Sequence, residues 1–81
     1  METRVAVIGI VVENKDAVTE LNAVLHEYGE IIIGRMGIPY KERDINLISI
    51  AVDAPEDTIC ALSGKIGMIE SIAVKTVYAN V

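Results

Sequence analysis

Apolar residues follow two different rhythms along this chain. Thr3 to Val12 is an almost unbroken β-branched run, ended by Glu13-Asn14. Its length and branching predict a strand buried on both faces. The spacing then changes. Ala17, Val18, Leu21, Val24, Leu25 and Tyr28 recur at helical intervals, with Thr19, Glu20, Asn22 and Glu27 between them, as in an amphipathic helix. Asn14 suits the N-cap, Asp16 the first turn, and Gly29 a left-handed end. Glu30 to Ile38 reads as a second strand, Pro39 to Arg43 as a turn and Asp44 to Asp53 as a third strand. In that third strand Asn46, Ile48, Ile50 and Val52 point to one face; Ile45, Leu47, Ser49 and Ala51 point to the other. Pro55 fits the first position of a second helix, with Glu56 and Asp57 following. Ile59, Leu62 and Ile66 form its buried stripe, and Gly67 is its expected C-cap, with Gly64 as an earlier stop. Ser71 to Tyr78 completes the pattern as a fourth strand.

The predicted order is β-α-β-β-α-β, an α+β ferredoxin-like sandwich. Right-handed crossovers put the first and third strands at the centre of a four-stranded antiparallel sheet and the second and fourth at its edges. Both helices cover one face. Residues 1–81 form a single domain. The other face is open, yet either parity of the third strand offers it Leu47 and Ala51 or Ile48 and Ile50. Burial by another subunit is expected, and an unusually apolar exposed sheet is the alternative.

Composition sharpens that expectation. A chain of 81 residues buries only about 60% of its unfolded surface, so a lone monomer is marginal. Hydrophobic residues make up 52% of it, without Trp or Phe, so the core is aliphatic and in surplus. A homo-dimer or homo-tetramer is expected. The net charge of −5 with scattered Lys and Arg excludes direct nucleic-acid binding, which needs a cationic footprint, and disfavours acidic membranes. One cysteine, Cys60, excludes an internal disulfide framework. "RVAVIGIVV" is too short to span a bilayer and Met1-Glu2 supplies no cationic leader, so a cytoplasmic location is expected.

Fold does not decide function, but several occupants of this fold are excluded. RNA binders stack bases on aromatic residues of the central strands; here the tyrosines lie elsewhere. Copper chaperones need a CxxC pair. Acylphosphatases need a phosphate-cradling loop with an arginine, and "VVENKD" has neither glycine nor arginine. ACT-like domains, which bind metabolites at subunit interfaces, survive the elimination.

"RVAVIGIVVE", "LHEYGEIIIGRMGIPYKERDINLISIAVDAP" and "ALSGKIGMI" together resemble the family of iron-only hydrogenase system regulators. These are ACT-like and similar to the C-terminal domain of the nickel-responsive regulator. The most distinctive motifs are Gly34-Arg35-Met36-Gly37-Ile38-Pro39-Tyr40 and Leu62-Ser63-Gly64-Lys65-Ile66-Gly67. The resemblance covers nearly the whole chain and implies an ACT-like oligomer with a regulatory role. The nickel regulator supplies several histidines and a cysteine per site; this chain has only His26 and Cys60. They are weak metal candidates, set against an exposed helix histidine and a small buried thiol. That regulator's DNA-binding extension has no counterpart here.

"IIIGRMGIPY" is an unusual strand. An edge position explains its proline, and its glycines signal a bulge or the approach of another backbone. Gly34, Met36, Gly37 and Tyr40 are therefore candidate interface or ligand residues. Arg35 suits either a bound carboxylate or phosphate or an ion pair with Glu30, Glu42 or Asp44 of the same or another chain. The ion pair is preferred, and Arg35→Ala is expected to loosen assembly. At "VVENKD", Gly9, Glu13 and Asn14 mark a second candidate region, where a helix N-terminus meets a strand end; ordinary capping is the stronger explanation. Ser49, Ser63, Ser71 and Cys60 share one histidine, so no catalytic residue is assigned, and no cofactor is expected. The leading expectation is a non-enzymatic regulatory module forming homo-oligomers, with a small ligand at a subunit interface. The alternatives are a structural protein-interaction module docking on a metalloenzyme maturation partner, and a metal-responsive module.

Overall fold

The computed structural model describes residues 2–80. Its elements are β1 (Arg4–Val12), α1 (Val18–Glu27), β2 (Ile32–Tyr40), β3 (Ile45–Ala54), α2 (Glu56–Gly67) and β4 (Ile72–Tyr78). Short 3₁₀ turns precede α1 and flank β2. The antiparallel sheet has the order β2-β3-β1-β4. β1 and β3 are central, as the crossover rule requires.

Alternation along the two central strands builds the core. Ala6, Ile8, Ile10 and Val12 of β1 and Ile48, Ile50, Val52 and Ala54 of β3 point to the helices and are buried. Leu21 and Leu25 of α1 and Ile59, Leu62 and Ile66 of α2 meet them, with Ile69 closing one end. No buried residue is polar or charged among those described. Burial of this aliphatic layer is the main force holding the helices on the sheet.

Several element ends differ from the sequence expectation. Gly29 is not left-handed. Tyr28 caps α1 (φ −103, ψ 18), and Gly29–Ile31 tightens into a 3₁₀ turn. The Ile31 N–H donates to the Tyr28 carbonyl at 3.1 Å, so the helix end is satisfied by tightening. Gly67 is the last residue of α2 rather than a cap beyond it, and Gly64 does not stop the helix. The left-handed residues are Asp44 (φ 55) and Ser71 (φ 69), both in turns between elements. Pro55 is the N-cap of α2 rather than its first residue, so the helix begins one position later than expected, and the Pro55 carbonyl accepts from Thr58 and Ile59. Asn14 does cap, but it caps the 3₁₀ turn, its Oδ1 accepting from the Asp16 N–H at 3.0 Å.

β2 continues through Pro39 to Tyr40, because a proline on an edge strand loses no necessary ladder bond. It carries a bulge. Ile32 faces Val52 and Gly34 faces Ala51, so Ile33 is an extra residue. One extra residue reverses which side of the sheet every later side chain takes.

Candidate functional site

The side of the sheet away from the helices carries Val7, Met36, Ile38, Tyr40, Leu47 and Val77, most of the exposed large hydrophobic side chains among the described residues. It receives Val5, Val7, Gly9 and Val11 from β1, and Ile45, Leu47, Ser49, Ala51 and Asp53 from β3, by simple alternation. β4 adds Ala73, Lys75 and Val77 in register with Val11, Gly9 and Val7. After the bulge, β2 adds Gly34, Met36, Ile38 and Tyr40. Val7 is 46% exposed, Met36 60%, Leu47 38% and Val77 68%. Contiguous exposure of such side chains marks an interaction surface, whereas isolated ones do not.

A trough of about 470 Å³ runs over the middle of this surface. Gly9 forms its floor, with Met36, Ile38, Leu47, Ala73 and Lys75 around it. Its lining is almost wholly apolar, and Ser49 and Lys75 are the lining residues with polar side chains.

The interface and ligand candidates divide among three places. Gly9, Gly34, Met36 and Tyr40 share the open side. Arg35 and Gly37 point toward the helices, in register with buried Ile50 and Ile48. Arg35 Nη2 donates to Asn22 Oδ1 of α1 at 2.7 Å. Within the chain its partner is thus Asn22, not Glu30, Glu42 or Asp44. Glu13 and Asn14 lie exposed in the turn after β1, and the Glu13 N–H donates to the Ser71 carbonyl at 2.9 Å. That turn approaches the β2–β3 turn, where Lys15 pairs with Asp44 at 3.3 Å and Tyr40 Oη donates to Glu42 Oε2 at 3.2 Å. A cleft of about 160 Å³ lies there, bordered by Lys15, Tyr40, Lys41 and Asp44.

His26 is exposed on α1. Cys60 is exposed on α2 rather than buried. Its Sγ lies 3.6 Å from Tyr78 Oη, and Arg4, paired with Glu56 at 3.0 Å, stacks 4.2 Å from the Tyr78 ring centroid. The hydrogen bond with Cys60, then desolvation, holds the Tyr78 phenol above its ordinary range. No cluster of three or more His, Cys, Asp or Glu side chains forms among the described residues. Sequence reasoning missed Ser49 and Lys75. Strand parity alone could not have found them, because only the pairing of the strands sets both beside Gly9.

No helix among the described residues is long and apolar enough to cross a membrane. The architecture is that of a ferredoxin-like βαββαβ module with one covered and one open sheet face. Solved structures share it. A nitrogen regulatory PII-like protein from Thiomonas intermedia K12, bound to ADP, AMP and bicarbonate, superposes with a TM-score of 0.57 at 13% identity, over 99% of this chain and 100% of that one. A formyltetrahydrofolate deformylase from Pseudomonas putida KT2440 matches with a TM-score of 0.68 at 10% identity, over 95% of this chain and 29% of the deformylase. These two show the fold alone.

The uncharacterized protein TM1266 from Thermotoga maritima is far more similar: 38% identity, a TM-score of 0.93, 98% of this chain and 100% of that chain. The family model TM1266-like, described as "Iron-only hydrogenase system regulator, putative", matches residues 4–76, and the chain belongs to that family. No curated protein matches the sequence.

Proposed function

We infer that this chain is a non-enzymatic regulatory module of an iron-only hydrogenase system, working as a homo-oligomer with a small ligand held where subunits meet. The family supports the regulatory reading. The apolar open face carries the rest. Strands of seven to ten residues at about 3.3 Å per residue, four abreast at about 4.8 Å, give a flat footprint of roughly 550 Å². That is comparable to the roughly 800 Å² of accessible surface that each partner buries in a standard interface. An 81-residue chain with a single aliphatic layer also gains most from a second covering layer. A face-to-face stack of two copies fits this requirement, since both inner faces of such sandwiches are aliphatic.

Sedimentation equilibrium tests the assembly. The protein is expected to be a dimer or larger at micromolar concentration. Leu47→Lys, at the centre of the face and exposed in the single chain, is expected to give folded monomers with unchanged far-UV circular dichroism. A wild-type monomer at that concentration would sink the reading.

A further inference from the structure

One row of in-register residues crosses the middle of the open face: Met36, Ser49, Gly9, Lys75. Neighbouring strands lie about 4.8 Å apart, so Ser49 and Lys75 stand about 10 Å from each other across the bare Gly9 backbone. The fold of the single chain does not require that glycine. Its φ is not positive, and an added Cβ would meet only the Lys75 carbonyl oxygen, at 3.9 Å. What the glycine provides is an empty slot at the floor of the trough. The trough, at about 470 Å³, is within the range of about 300–1,000 Å³ typical of small-molecule sites.

Lys75 is the one residue with a charged side chain among those lining the trough. Among the described residues it makes no ion pair. Within the four strands, the one acid on that side of the sheet is Asp53, which faces Val5. Val5 is four residues along β1 from Gly9, about 13 Å away. A second aliphatic sheet laid over this face would take the ammonium out of water with no counter-charge beside it. Burying an unpaired charge is expensive.

We propose that the slot over Gly9, closed by a second copy of the chain, binds a small amphiphilic anion such as a medium-chain carboxylate. The carboxylate accepts charge-assisted hydrogen bonds from the Lys75 ammonium and a hydrogen bond from the Ser49 hydroxyl. The apolar tail lies along the trough toward Leu47 and Ile38. The anion supplies the charge that covering the face leaves missing. This inference rests on the covered-face reading above.

The test uses the full chain, with sedimentation for assembly and calorimetric titration with octanoate and with octan-1-ol, its neutral counterpart. Octanoate is expected to bind the dimer about tenfold or more tighter than the alcohol, as a charged hydrogen bond provides. Lys75→Gln is expected to remove that preference, and Gly9→Val, which fills the slot with a good strand former, to abolish binding of both. Both variants are expected to remain dimers. A wild-type dimer without preference for octanoate, or a preference that survives Lys75→Gln, overturns the anion site and leaves the covered face standing. If octanoate does not bind and Lys75→Gln and Asp53→Asn weaken the dimer equally, Lys75 pairs with Asp53 of a second copy and the anion site is overturned. A wild-type monomer at these concentrations overturns the covered face and the site with it.

Discussion

Arg35 takes its direction from one extra residue in β2. Without the bulge at Ile33, Arg35 would follow strict alternation from Ile32 onto the open face, beside Leu47 and Ser49. With it, the guanidinium turns to α1 and donates to Asn22 at 2.7 Å. A cation is thereby kept off the apolar surface, and the same shift delivers Met36 and Ile38 to it. The Arg35–Asn22 bond is exposed, so competition with water leaves it a small net value. Arg35→Ala is expected to lower stability by less than about 1 kcal/mol in urea unfolding, with the association constant unchanged. A clear loss of association would instead place Arg35 at a subunit contact.

Between elements, the two helices are joined side by side through Lys65 of α2 and Glu27 of α1. Lys65 Nζ donates to Glu27 Oε2 at 2.8 Å and lies 5.2 Å from the Tyr28 ring centroid. The hydrogen bond to Glu27, followed by one to Tyr28, raises the Lys65 pKa above its ordinary 10.5. A raised lysine pKa means that the folded state holds the proton more tightly than the unfolded chain. The contribution is therefore fully present below pH 10.5 and is lost as the pH rises through the folded value. The pair is exposed, so its effect is small. Glu27→Gln is expected to melt slightly below wild type at pH 8, with the gap narrowing above pH 10.5. A gap that stays constant through that range would assign the difference to packing instead.

The whole molecule depends on one aliphatic layer between sheet and helices. Leu62 is fully buried at its centre. Leu62→Ala is expected to cost about 2–5 kcal/mol, transfer and cavity terms together, out of a total of about 5–15 kcal/mol for a typical domain. Urea unfolding measures it, and a loss below about 1 kcal/mol would mean that the layer relaxes around the gap. If a second copy covers the open face, part of the stability belongs to the assembly, and the melting temperature rises with protein concentration.

The sequence alone determined the order of the elements, but both parities of each central strand are apolar, and only the packed structure decided which side enters the core. Periods of two and 3.6 are local properties, readable wherever apolar residues repeat in β1, α1, β3 and α2. The crossover rule then placed β1 and β3 in the middle. It also exposed an apolar surplus in the central strands, because a two-sided aliphatic strand is visible without coordinates. Helix ends were less legible. Gly29 and Gly67 have the composition of left-handed caps, but the chain beyond them decided the geometry, giving Asp44 and Ser71 the positive φ instead. The bulge at Ile33 was beyond local reading: "III" offers three equivalent residues, and only pairing with Val52 and Ala51 chooses which is extra. The same holds for the trough. Ser49, Gly9 and Lys75 are far apart in the chain, and no period connects them. Strand register, a long-range property of the folded sheet, sets them in one row.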